Sequence, residues 1–237
     1  IGCGCAVCMS ADPRDKRLRS SVLLRVEDKT LLIDAGPDLR QQMLRAKVEA
    51  LDAVLLTHEH MDHVAGMDDL RAFNFKQRRA MDIHASAATL EAVKRLYQYA
   101  FQESRYPGVP ELQLHVIADR SFVAAGIGLE TIHVMHARMP VLGIRLGGVA
   151  YITDAKTIAD DELDRLLGLD VLVLNALRIK EHLSHFNLEQ ALAVVERVKP
   201  KRAYFTHISH LLGKHADVSK LLPPNVELAW DGLVVEA

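Results

Sequence analysis

Cysteine is scarce. The 237-residue chain has three, Cys3, Cys5 and Cys8, all within its first eight residues. An odd, clustered set cannot close into pairs. That excludes the disulfide framework of a small secreted domain and points to thiolates in a reducing compartment. No apolar run reaches membrane-spanning length, and the opening residues show no signal-peptide pattern. A membrane partner is therefore not expected, and the expected location is cytoplasmic. Neither sign of charge is in excess: 29 Lys and Arg stand against 31 Asp and Glu, for a formal net charge of −2. This excludes a protein that relies on a generally basic surface to hold nucleic acid, so a stably bound nucleic acid is not expected. There is no low-complexity segment and no internal repeat of repeat-protein length. An initiator Met is also missing. The chain opens on Ile1, and the expectation is that its natural beginning is absent.

Apolar residues, at 49%, are plentiful enough for a sizeable core, and 237 residues fit one large domain spanning 1–237. Histidine is abundant, at twelve. Four metal-ligand side chains crowd into the stretch Val54-Leu55-Leu56-Thr57-His58-Glu59-His60-Met61-Asp62-His63. An apolar run of strand character ends at Thr57, and the donors follow within six residues. Imidazole with carboxylate suits zinc, manganese or iron. Ligands on one helix face would recur at three or four residues, which this spacing does not do. It suits a loop at the carboxyl end of a strand, where open α/β sheets place their sites. His58 and His60 turn one way, Asp62 and His63 the other, so one loop can serve two ions.

The rest alternates strands and helices, which defines an α/β protein. Residues 21–26 and 31–34 read as a hairpin, 39–48 as an amphipathic helix, and 51–57 as the strand before the donor loop. Residues 67–75 read as a helix whose Arg71 either faces the site or lies on a solvated face. A short strand at 83–85, a long helix over 89–101 and a strand over 112–117 follow. Residues 129–135 form a strand that ends at His136, and a hairpin over 143–153 ends at Asp154. An aspartate closing a buried strand is costly unless it is paired or binds metal. A helix at 161–167 precedes the fully apolar strand 171–175. Asn187 or the residues just before it open a helix that runs to Val198. The strand 202–206 ends in His207-Ile208-Ser209-His210. A helical region over 211–222 and a hairpin about Asp231-Gly232 close the chain.

Cys3, Cys5 and Cys8 form Cys-x-Cys-x-x-Cys, a spacing that lets three thiolates converge on one ion. Structural zinc is almost always four-coordinate, so a fourth ligand must come from elsewhere. His210 is the choice: in a turn leaving its strand, its ring diverges from that of His207. His215 is the weaker alternative.

The His-x-His-x-Asp-His pattern is similar to the signature of the metallo-β-lactamase-fold hydrolases. The resemblance implies an αββα sandwich, two packed mixed β-sheets with helices outside. It implies one ion on His58, His60 and His136 and a second on Asp62, His63 and His207, with Asp154 bridging. His136 is preferred to His133, which points to the opposite face of the strand. Asp34, in Asp34-Ala35-Gly36, is implied as a support and not a ligand. The chain also resembles the cyclic phosphodiesterases of the carbon–phosphorus lyase pathway, themselves related to ribonuclease Z. The shared features are the three-Cys cluster and Thr206-His207-Ile208-Ser209-His210.

That resemblance implies a hydroxide shared by two divalent ions, Zn or Mn, as nucleophile on a small phosphodiester such as a cyclic phosphate or cyclic nucleotide. Asp62 and His185 are the implied catalytic residues. His185, in Ser184-His185-Phe186-Asn187-Leu188, acts as acid or hydrogen-bond donor, with His182 its rival. His210 completes one structural Zn. A homodimer is compatible with this reading. The alternatives are a thioester hydrolase of glyoxalase II type, a tRNA 3′-processing nuclease and a non-catalytic PqqB-like binding protein. The nuclease usually carries a long Gly-rich arm, which this chain lacks.

Overall fold

The computed structural model describes every residue except Arg105. It contains two mixed β-sheets with helices, and the chain organises into two compact units: residues 19–130, and residues 1–18 with 131–237.

Residues 19–130 hold a five-stranded sheet in the order β1 (Val22–Val26), β2 (Lys29–Ile33), β3 (Ala53–Leu55), β4 (Met81–Ala85) and β5 (Leu112–Val116). The first pair is an antiparallel hairpin; the remaining neighbours are parallel. The crossovers are α1 (Leu39–Arg45), the helical run of α2 (Met61–Val64), a 3-10 turn and α3 (Arg71–Gln77), and the pair α4 (Ala87–Leu96) and α5 (Gln98–Phe101). Period-2 alternation explains the core. Leu32, Val54 and Ile83 turn to one face and pack with Leu39, Met43, Leu70, Leu90 and Val93. All three residues of β3 are buried, as its unbroken apolar sequence requires.

β6 (Ser121–Ala124) pairs antiparallel with residues 127–130 of β7 (Ile127–His136), a hairpin the sequence pattern did not reveal. Residues 131–237 hold a sheet that includes the rest of β7. Its order there is β10 (Thr157–Ile158), β7, β8 (Met139–Leu146), β9 (Val149–Ile152), β11 (Val171–Asn175), β12 (Arg202–Thr206) and β13 (Val226–Leu228). From β9 to β13 the neighbours run parallel, so these strands end at one edge of the sheet. Helices α6 (Asp160–Asp164), α7 (Leu188–Val198) and α8 (His215–Val218) accompany them. Ile152, Leu172, Leu174 and Phe205 pack against Ala191, Val195 and Val198 of α7. Asn187 caps α7 through a full capping box with Gln190, and left-handed Lys199 ends it before Pro200.

Three expectations need correction. The helix over 89–101 breaks at Tyr97, whose φ of −110° and ψ of 34° leave the helical region while its hydroxyl reaches the Val64 carbonyl. The helical region over 211–222 shrinks to α8 and a 3-10 turn, because Gly213 takes a φ of 118°. The final hairpin does not form. Asp231-Gly232 does turn, but residues 233–235 add no strand, and β13 takes its partner from β12. Val234 is exposed, so pairing that segment would bury little apolar surface.

Candidate metal centre

Within residues 19–130 the donors leave the carboxyl end of β3. His58 and His63 are fully buried, His60 is exposed, and Asp62 is half-buried. His60 caps the single-turn α2, so Asp62 and His63 lie in a helical turn and not in an open loop. Adjacent helical residues diverge by about 100°, which spreads the two side chains.

Asp34 organises this loop. It follows β2 in a left-handed conformation, φ 62°, and is fully buried. Its Oδ1 accepts the Thr57 backbone N–H at 2.8 Å, and Thr57 Oγ1 donates to both carboxylate oxygens at 3.0 and 2.9 Å. His63 Nδ1 lies 2.7 Å from Asp34 Oδ2. A carboxylate only accepts, so Nδ1 carries the proton and Nε2 is the lone-pair nitrogen. Thr57 has spent its hydroxyl proton on Asp34, so Oγ1 accepts from His58 Nδ1 at 3.0 Å, which fixes that tautomer in the same way. This orientation of imidazole by outer hydrogen bonds is what metal ligation needs. His63 Nε2 then stands 3.6 Å from Asp62 Oδ2. The backbone of α2 packs on the turn after Asp34: a Cβ at Gly36 would sit 2.2 Å from the Asp62 carbonyl oxygen.

The second unit collects its donors from strand ends. His136 closes β7, Asp154 lies two residues past β9, and His207 one past β12. Asp154 and His207 are left-handed, at φ 57° and 52°, a strain that recurs at functional sites. His136 Nδ1 donates to the Asp154 carbonyl at 3.0 Å, so its Nε2 is also the lone-pair nitrogen. His207 Nε2 lies 3.2 Å from Asp154 Oδ1. Two ligands each about 2.0–2.2 Å from one ion span such a distance. Asn175, ending β11, holds the turn after Asp154 by accepting the Ala155 N–H at 2.8 Å and donating to its carbonyl at 2.9 Å. Sequence reasoning missed this role; a polar residue closing an otherwise apolar strand was its signal.

His185 is buried, and its ring stacks on that of His207 and meets His136 edge-on. Its Nδ1 makes no hydrogen bond and stands 3.9 Å from Asp154 Oδ2. Burial lowers its pKa to about 3, so the ring is neutral at neutral pH. His136, Asp154 and His185 present donor atoms within 4.8 Å of one another. His182 is half-buried beside His185, with ring centroids 5.1 Å apart.

A separate cluster joins the amino-terminal loop to the turn after β12. The sulfurs of Cys3, Cys5 and Cys8 each lie 3.4 Å from His210 Nδ1. Tetrahedral zinc, with Zn–S of about 2.3 Å and Zn–N of about 2.0 Å, separates sulfur from nitrogen by about 3.5 Å. Without a cation the thiols compete. The Cys8 backbone N–H lowers Cys5 to about 6, whereas the hydrogen bond that the Cys8 thiol donates to Cys5, then burial, push Cys8 up to about 11. A divalent ion removes that competition by holding all three as thiolates. His215, the weaker alternative, lies elsewhere: its Nδ1 is 3.3 Å from Arg17 and its N–H donates to Asp15.

The chain has the metallo-β-lactamase fold and belongs to the β-lactamase superfamily, whose domain model matches residues 29–208. It is 40% identical over 236 residues to an octanoyltransferase of Porphyromonas gingivalis, covering 98% of this chain and 48% of that protein. It is 30% identical over 202 residues to the coenzyme PQQ synthesis protein B of a Methylobacterium species, covering 72% of this chain and 64% of that protein. The chain thus spans about half to under two-thirds of these curated relatives. Among solved structures, a diphosphatase from the PhnP family matches with a TM-score of 0.92 and 37% identity, covering 98% of this chain and 89% of that one. Among the described residues, no helix is long and apolar enough to cross a membrane.

Proposed function

We propose that the chain is a single catalytic domain, residues 1–237, and a dinuclear metal-dependent hydrolase of small phosphodiesters such as cyclic phosphates. His58, His60 and His136 would hold one ion, Asp62, His63 and His207 the other, with Asp154 shared. Bound there, two divalent ions, Zn or Mn, supply a water of lowered pKa and neutralise phosphoryl charge. The observation that carries the reading is the preset tautomer of His58, His63 and His136. In each, Nδ1 is occupied by a protein acceptor, which aims Nε2 as a ligand. The solved PhnP-family diphosphatase supports phosphoryl chemistry and adds diphosphate bonds to the substrates worth testing. Octanoyl transfer is the name of a protein of which this chain matches under half, and the metal-type donors here do not require it.

The residues of the chain divide the remaining work. Asp34, Thr57 and Asn175 hold the donors in register. Asp62 and Asp154 place anionic charge on the ions. His185, neutral and buried beside Asp154, donates an N–H hydrogen bond to the charge developing on the leaving oxygen. Cys3, Cys5, Cys8 and His210 hold a structural Zn that ties the amino-terminal loop to the turn after β12.

The test is a hydrolysis panel on Zn- and Mn-loaded protein: bis(p-nitrophenyl) phosphate, 2′,3′-cyclic nucleotides, a ribose cyclic phosphate, a dinucleoside diphosphate, a thioester and a β-lactam. Turnover of phosphodiesters alone is the expected result; a preference for the thioester would overturn it. His185→Ala is expected to lower kcat for an alkoxide leaving group far more than for p-nitrophenolate, with metal content unchanged. Equal losses would assign His185 to positioning, and a lost metal would make it a ligand.

A further inference from the structure

Arg19 lies on the connector between the Cys loop and β1, with a side chain 60% exposed. Its backbone is held twice by the opening of α1. Its N–H donates to Asp38 Oδ2 at 2.8 Å, and its carbonyl accepts from Gln42 Nε2 at 2.7 Å. Its Cβ packs on the Gly36 turn that carries the backbone of α2. The guanidinium is thereby aimed at the donor loop, with Nη1 3.8 Å from Asp62 Oδ2.

An ion pair this exposed adds little to folding. The anchoring of its base calls for another use. Arg71, the cation whose sequence position left open whether it faces the site or lies on a solvated face, differs. It lies 3.3 Å from Asp68, which also accepts from the Tyr99 hydroxyl, so its charge is answered on its own helical run. Asp62 is a ligand in the reading above. Once its charge is given to a cation, Arg19 faces the same point with a planar fork of donors. That fork matches two non-bridging oxygens of a phosphoryl group.

We propose that Arg19 is a substrate-binding residue that grips the phosphoryl oxygens of the anionic substrate beside Asp62. The inference rests on the phosphodiesterase reading and deepens it. It is tested on the metal-loaded full chain with inorganic phosphate as probe, titrated by calorimetry, alongside turnover of bis(p-nitrophenyl) phosphate. Arg19→Gln is expected to weaken phosphate binding on the order of tenfold and to raise KM similarly, with a smaller change in kcat. Arg19→Lys should recover part of the loss, because the charge remains and the fork does not. Arg71→Gln should leave phosphate affinity within about twofold. Unchanged phosphate affinity in Arg19→Gln overturns the inference. So does an equal loss in Arg71→Gln, which reduces the effect to general charge, or a fall in metal content or Tm that accounts for the loss. If phosphate binding depends on Arg19 while the wild type hydrolyses no phosphoester, the inference stands and the functional reading fails.

Discussion

Within residues 19–130 the candidate ligands are sequence neighbours, His58 to His63, steadied by one buried carboxylate. Within residues 131–237 they come from the ends of separate strands, and the parallel register brings them together. Leu174 pairs with Ile152 and Asn175 with Thr206, so Asp154 and His207 leave the two strands that flank β11 at the same edge, and their side chains meet at 3.2 Å. The first arrangement needs a tight turn and Asp34; the second needs a whole sheet. A local site fails when its support is cut, whereas a dispersed site fails when the sheet edge shifts.

Removing one carboxylate from each region separates the two arrangements most strongly. Asp62→Ala and Asp154→Ala should each lower kcat/KM by about a thousandfold or more. Only the second should also lower Tm, because Asp154 is buried and accepts from Thr153 Oγ1, while Asp62 is half-buried. Equal melting temperatures would show that the dispersed region is no more dependent on its ligand than the local one.

His210→Ala extends the contrast to the Cys cluster. It should remove one metal per chain and several kcal/mol of stability, with activity falling as a consequence. Metal content and thermal melts check this. Three cysteines that react freely with a thiol reagent in the native wild type would refute a bound ion there.

Supports come next. Asp34→Asn should weaken metal binding about 10–100-fold, because it disturbs the acceptors that set the His63 and His58 tautomers. Asn175→Ala should cost about 1–3 kcal/mol of stability through the buried Ala155 amide and carbonyl it leaves unpaired, with a smaller effect on metal affinity. Metal titration and chemical unfolding of both variants rank the two supports. The reverse ranking would mean that the sheet edge, and not the local carboxylate, governs ligand geometry.

Much of the fold was legible because its signals are periodic and local. The apolar β3 and β11, the capped α7 and the hairpin of β1 and β2 all follow from patterns within a few residues. Elements too short to show a period did not follow. β6 is short and half-exposed, and β10 has two residues, too few to show a period. The turn at Asp231-Gly232 was legible, yet its strand was not formed, since turn chemistry does not say which strand partner wins.

The sequence by itself determined the chemistry: which residues offer imidazole, carboxylate and thiolate, and that four donors crowd after one buried strand. Tertiary structure alone decided their working state. Asp34 is far from His63 in sequence, yet its carboxylate selects which nitrogen of that ring carries the proton. Asn175 acts through Ala155, and His210 reaches Cys3, Cys5 and Cys8 from the opposite end of the chain. Arg19 reads as part of a charged connector until its backbone is pinned to α1 and its guanidinium is aimed at Asp62. The physical reason is that residue type carries donor capacity, whereas tautomer, direction and burial depend on partners that only the folded chain supplies.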